Sequence, residues 1–211
     1  MPLLTKAIGR ILGERRKRSL IFTRDILRES RSIGWLETAI TGNPADANGR
    51  PIPWITYPAI AFLETRDFRD LNIFEYGSGA STQWWAARAH SVTSVEHDEG
   101  WYESVRAKIP ASVDYRYVAL NAGYSEIVKE AGLVDLAIID GRQRNACAAA
   151  CLAAGLSAIL WDNTDRVEYQ AGLSLLAESG YRRIDFRGFG PVNTYVSTTS
   201  VLYLPTNKLD L

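Results

Sequence analysis

From Leu71 onward the chain alternates short apolar runs with longer stretches of helical periodicity. The runs are Leu71–Tyr76, Ser91–Glu96, Tyr115–Ala119, Val134–Asp140 and Ser157–Trp161, each of strand length. Helical spacing begins after them near Ser81, Glu99, Ser125, Asn145 and Arg166. Strand and helix in this alternation require right-handed crossovers, which build a parallel sheet covered on both faces. The alternation ends at the C-terminus. "YRRIDFRGFG" and "TTSVLYLP" read as strands joined only through Gly188 to Tyr195, too short for a helical crossover, so they pair antiparallel. The predicted fold class is α/β: a doubly wound, mostly parallel seven-stranded sheet with an antiparallel C-terminal hairpin and extra N-terminal helices.

The pattern before the sheet is different. Residues 1–33 carry nine basic side chains against three acidic ones, and Leu3, Leu4, Ile8, Ile11 and Leu12 fit one helical face. Two readings stay open: a solvated helix covering the edge of the core, or a basic amphipathic helix in peripheral contact with an anionic membrane or a partner. "TGNPADANGRPIPWITYPAIAFLE" then packs turn formers into a loop that enters a helix near Tyr57 to Leu63. This divides the chain into a helical and lid segment, 1–66, and a sheet domain, 67–211.

Composition narrows the class. A chain of 211 residues is long enough for one sizeable core. Lysine plus arginine equal aspartate plus glutamate at 24 each, so there is no general basic excess and no nucleic-acid partner is expected. No apolar run approaches the roughly 20 residues needed to span a bilayer. The cluster Arg15 to Arg18 follows the short apolar start instead of preceding a long one, unlike a signal peptide. A cytoplasmic protein is the expectation. Cys147 and Cys151 stand four apart among alanines, a spacing for helix packing and not for a disulfide scaffold or zinc site.

The chemistry gathers at the strand ends. Glu75, Glu96, Asp140 and Asp162 each stand where a predicted strand stops, and in a doubly wound sheet ligands bind beyond those ends. "FEYGSGASTQWW" follows the first strand: Gly77 and Gly79 open the backbone, and Ser81 or Thr82 is placed to cap the next helix, whose free amides attract negative charge. Glu96 lies at the second strand's tip, where a carboxylate accepts from a ribose diol. An adenosine-type ligand follows. The third glycine of the dinucleotide fingerprint is replaced by Thr82, and Glu75 would repel a pyrophosphate but welcome a cation.

"FEYGSGASTQWW…VTSVEHD" resembles motif I and the second-strand acid of class I S-adenosylmethionine-dependent methyltransferases, which are Rossmann-like; the resemblance spans roughly Leu71 to Leu204. It implies that Glu75, Gly77 and Gly79 surround the methionine end, with Ser81, Thr82 and Asp140 lining the cofactor site. It also implies that Glu96 holds the ribose and that His97 or the Ala119–Asn121 turn flanks the adenine. The expected function is methyl transfer from S-adenosylmethionine to a small-molecule acceptor, most readily a hydroxyl oxygen. An NAD(P)-binding oxidoreductase and a non-catalytic nucleoside-binding module are the alternatives.

"VDLAIIDG" and "AILWDN" are similar to the catechol and caffeoyl-coenzyme-A O-methyltransferase group, which implies Asp140, Asp162 and Asn163 as ligands of a magnesium ion that activates the acceptor hydroxyl. That group usually has a lysine or histidine soon after the first aspartate, where this chain reads "DGRQRNAC". Without a metal, Asp140 serves as base or positions the acceptor. Arg142 and Arg144 either fork onto a carboxylate or phosphate of the acceptor or pair with nearby aspartates. Trp54 and Tyr57 either cover the substrate or plug the space between the N-terminal helices and the core.

Overall fold

The computed structural model describes the backbone of residues 2–211 and the side chains from Gly13 onward. The apolar residues singled out between Leu3 and Leu12 lie outside the described side chains. Seven strands form one sheet: β1 (Asn72–Tyr76), β2 (Ser91–Glu96), β3 (Asp114–Tyr117), β4 (Leu136–Ile139), β5 (Ala158–Asp162), β6 (Arg182–Gly188) and β7 (Ser197–Tyr203). Their order is β3-β2-β1-β4-β5-β7-β6. The first five are mutually parallel, while β7 runs antiparallel to both β5 and β6. The C-terminal hairpin therefore folds back so that its second strand lies inside and its first forms the edge.

Helices α1 (Pro2–Ser32), α2 (Trp35–Thr41) and α3 (Tyr57–Leu63) precede the sheet. Helices α4 (Ala80–Ala86), α5 (Glu99–Arg106), α6 (Arg144–Ala153) and α7 (Gln170–Glu178) connect its strands. The helix expected from Ser125 is only a 3₁₀ turn, Ile127–Glu130. Gly123 and Gly132 on either side adopt positive φ, 85° and 72°, and Tyr124 and Val128 between them are drawn into the core. Too few residues remain for a stable helix.

Alternate strand residues feed two apolar layers, as expected for a parallel sheet buried on both faces. Ile73, Ile138 and Leu160 meet Trp84, Trp85, Ile60 and Leu63 on the α3 and α4 side. Phe74, Ile139 and Trp161 meet Cys147, Cys151, Leu173 and Leu176 on the α6 and α7 side. Ile52, Ile55, Ala59, Ile60 and Leu63 from before the first strand share the sheet's own core.

Helix α1 stands apart from that core. It breaks at Gly13, where φ is 74° and ψ 153°, and packs on α2, leaving Leu20, Phe22, Ile26 and Leu27 exposed. No described helix is long and apolar enough to cross a membrane.

Candidate functional site

The strand order reverses between β1 and β4, and the crevice above that point is where a doubly wound sheet receives ligands. A cavity of about 480 Å³ opens there, lined by the β1–α4 loop, Glu96 to Asp98 after β2, Asp140 to Arg142 after β4, and Arg166 after β5. A second cavity, about 330 Å³, adjoins it beneath the Gly42–Pro51 loop, and Trp54, Ser78, Ser81, Trp101 and Asp140 border both.

Gly77 is required by packing as well as by the cavity. Its φ is 90°, and a Cβ there would stand 3.0 Å from Gly141 N and 3.1 Å from Gly141 Cα. The bend thus brings the β1 and β4 tips into contact. Gly141 answers to Tyr124, whose hydroxyl would lie only 2.0 Å from an added Cβ.

Glu75 and Glu96 share one sheet face, because Glu75 is in register with Ser94 and Glu96 follows two residues later. They do different work. Glu75 is buried, and its Oε2 accepts from Thr82 Oγ1 at 2.5 Å and Ser94 Oγ at 2.8 Å. Burial pushes its carboxyl up to about 7 against the pull of the Ser81, Thr82 and Ser94 hydroxyls. It does not line the cleft. Thr82 is not a ligand residue either: it is buried, and its hydroxyl accepts from Gly79 N at 3.0 Å, with Gly79 and not Ser81 or Thr82 as the N-cap of α4. The pair is a hydrogen-bonded strut under the loop, invisible in a sequence that shows only an acid at a strand tip. Ser81 and the backbones of Gly77 and Gly79 do line the cavities.

Glu96 reaches the cleft fully engaged. Its Oε1 accepts from the amides of His97 and Asp98 at 2.8 and 2.9 Å; its Oε2 accepts from Ser78 N and Ser78 Oγ, both at 3.1 Å. A carboxylate has about four acceptor positions, so a ribose diol must displace the mobile one, the Ser78 hydroxyl. That hydroxyl also pairs with Tyr115 Oη at 2.7 Å, and Trp101 Nε1 donates to Ser78 O at 2.9 Å. His97 lies beside Glu96, its Nδ1 2.8 Å from Oε1. The Ala119–Asn121 turn contributes nothing to the cavity wall.

At the β4 tip, Asp140 keeps about a third (32%) of its side chain open. Arg144 is only 9% exposed and spends its guanidinium inside the protein. Its Nη2 donates to Asp140 Oδ1 at 2.9 Å and Asp140 O at 2.7 Å, its Nη1 to Asp162 O at 2.5 Å, and its Nε to Gly141 O at 2.9 Å; Nη1 also lies 3.4 Å from Asn163 Oδ1. Burial raises the Asp140 carboxyl above its usual range, while Arg144 and Arg166 oppose that rise. Among the described residues Asp140 Oδ2 has no donor.

As packed, these residues do not fit the expected magnesium site. Arg144 stands among Asp140, Asp162 and Asn163, the three proposed ligands, and Asp162 instead accepts from the Thr199 hydroxyl. Burial and the neighbouring Asp140 charge push the Asp162 carboxyl up to about 7. A second cation beside a buried guanidinium would face direct repulsion. Arg144 is likewise not free to hold a substrate, whereas Arg142 and Trp54 do line the cleft. Tyr57 does not: it packs edge-on against Trp35 at 6.3 Å, in the plug beside Phe189. Ser78, Trp101 and Arg166 line the cleft without having been marked by the sequence reading; Ser78 lay inside the glycine motif itself.

No protein-family model and no curated protein matches the sequence. Solved structures do. A precorrin-6y C5,15-methyltransferase from Geobacter metallireducens superposes with TM-score 0.51 at 13% identity, over 69% of this chain and 86% of that one. A putative O-methyltransferase from Klebsiella pneumoniae gives 0.50 at 16%, over 69% and 76%. This chain has the methyltransferase fold. A methyltransferase-like protein from Silicibacter pomeroyi gives 0.48 at 22%, over 75% and 92%.

Proposed function

We propose that the protein binds S-adenosylmethionine and transfers its methyl group to a small-molecule acceptor, at a hydroxyl oxygen. The observation that carries this reading is the cavity above the β1–β4 reversal, with Glu96 and Asp140 on its wall. Its volume, about 480 Å³, lies within the usual range for small-molecule sites. Glu96 is placed for the ribose, with His97, Asp98 and Trp101 around the base. The open oxygen of Asp140 offers a partner to positive charge or to a proton. The glycine-rich entry into α4 departs from the dinucleotide fingerprint at its third position, the buried Thr82.

S-adenosylmethionine supplies an electrophilic methyl group on a sulfonium. The protein's own contribution is to orient and to hold charge. Glu96 would hold the nucleoside's ribose on the β2 side of the cavity. Asp140 would accept the proton that the acceptor hydroxyl gives up when it takes the methyl group. Burial raises the Asp140 carboxyl, which makes it a stronger base, while Arg144 opposes that rise and holds it in place. Trp54, 42% exposed over the same cavity, supplies a wall that excludes water.

The test is ligand-specific thermal protection followed by turnover. S-adenosylhomocysteine raises the melting temperature and NAD does not, and labelled methyl from S-adenosylmethionine appears in a hydroxylated acceptor. Protection by NAD alone overturns the reading.

A further inference from the structure

The cleft holds three arginines, and only one is committed. Arg144 is occupied by Asp140, Gly141 and Asp162 and is nearly sealed from solvent. Arg142 and Arg166 are exposed on the wall of the same cavity, and among the described residues neither side chain forms an ion pair or a hydrogen bond. They come from different loops, after β4 and after β5, on the side of the crevice away from Glu96. Both loops are held. Arg166 N donates to Asn163 O, Tyr169 N donates to Arg166 O, and the Cys147 thiol reaches Arg142 O. Arg166 and Asp140 line the same cavity.

The carboxylates of the cavity already have partners, Asp140 through one oxygen only. Glu96 has four donors, Asp140 has Arg144, and Asp98 caps α5 by accepting from Trp101 N. Among the residues lining the cavity, three carboxylates match three arginines in formal charge. A bound S-adenosylmethionine, with sulfonium, ammonium and one carboxylate, makes it cationic. An acceptor with one negative charge restores balance, and a guanidinium pair is the geometry that receives a carboxylate or phosphate.

We infer that the methyl acceptor is an anionic hydroxy compound whose carboxylate or phosphate docks between Arg142 and Arg166, with its hydroxyl directed to Asp140. This rests on the methyl-transfer reading for the hydroxyl, but the anion site stands on the arginines alone.

The experiment separates the two. S-adenosylhomocysteine is first titrated calorimetrically into the wild type and into the Arg142→Gln/Arg166→Gln double variant. Each protein, with and without S-adenosylhomocysteine, is then titrated with inorganic phosphate and with benzoate, using benzyl alcohol as the uncharged control and ligand-observed NMR as readout. The expected result is millimolar binding of at least one anion to wild type and none of the alcohol. The double variant should weaken anion binding at least tenfold, leave S-adenosylhomocysteine affinity within twofold and leave the melting temperature within 2 °C. The Arg142→Lys/Arg166→Lys protein should fall between. Phosphate binding without benzoate assigns a phosphorylated acceptor, and the reverse a carboxylated one. Three results overturn the proposal: no anion binding, equal anion binding to the double variant, or a tenfold loss of S-adenosylhomocysteine affinity, which would give the arginines to the cofactor's own carboxylate. Failure of wild type to bind S-adenosylhomocysteine would instead sink the methyl-transfer reading, and the cofactor-free titration would still decide the anion site.

Discussion

Replacing Arg144 by methionine removes the centre of the β4–β5 junction while keeping much of its volume. The guanidinium donates to Asp140 Oδ1, Asp140 O, Gly141 O and Asp162 O at 2.5–2.9 Å from a side chain 9% exposed. Removing one partner of a buried charge pair typically costs about 3–5 kcal/mol, because the other charge is left uncompensated. The three orphaned carbonyls would add about 1–3 kcal/mol each if none could rewet, but the cleft is open on the Asp140 side. A net loss of about 4 kcal/mol is the expectation. For a chain of this length that lowers the melting temperature by about 8–16 °C. Urea unfolding followed by tryptophan fluorescence at pH 7 reads it, with Asp140→Asn completing a double-mutant cycle. The cycle should show coupling of at least about 1 kcal/mol, since the neutral amide introduced by Asp140→Asn no longer needs the guanidinium's charge. Arg144→Met costing under about 1 kcal/mol would refute the claim that this guanidinium supports the site.

Three further predictions follow from the same geometry. Glu75 titrates near 7 when folded against a reference of 4.5, so the folded state holds its proton more tightly. That contribution is full below the unfolded value and declines as the pH rises to about 7, by roughly 3 kcal/mol. Glu75→Gln should therefore match wild type near pH 4 and exceed it at pH 8 in urea unfolding; an unchanged difference between the two pH values would count against a raised Glu75. Gly141→Ala should destabilise by about 1–3 kcal/mol because its Cβ meets the Tyr124 hydroxyl, and Tyr124→Phe, which removes an unpartnered hydroxyl, should recover most of that loss in thermal unfolding. Burial pushes the Cys147 thiol up to about 12 and raises Cys151 as well, so neither should react with a thiol reagent at pH 8 until the protein is unfolded.

The sheet was legible because its strands are buried on both faces and read as continuous apolar runs, punctuated by glycine and by the acids at their tips. The reversal of direction at the C-terminus was legible from one short connection, Gly188 to Tyr195. The segment around Ser125 misled because its spacing is helical while Gly123 and Gly132 leave room for a single turn. At the site, Glu96 and Asp140 could be placed on the crevice wall from sequence because strand tips face it by topology. Glu75 lies off the crevice because tip position does not tell which acid turns inward to brace a helix, and Thr82 follows it inward as its hydrogen-bond partner. The role of Arg144 depends on a side chain reaching back across two strand ends to Asp162. Two acids and an amide at strand tips look alike whether a metal or a guanidinium lies among them, and only the packing of "DGRQRNAC" distinguishes the two.

Calorimetric titration of S-adenosylhomocysteine into the wild type and Glu96→Ala tests the central claim most directly. The account predicts one site per chain in wild type. In the variant it predicts a loss of about 1.5–3 kcal/mol, or roughly ten- to 150-fold in affinity, for the carboxylate's charge-assisted bond to the ribose. Absence of binding to the wild type, or equal affinity in the two proteins, would contradict it.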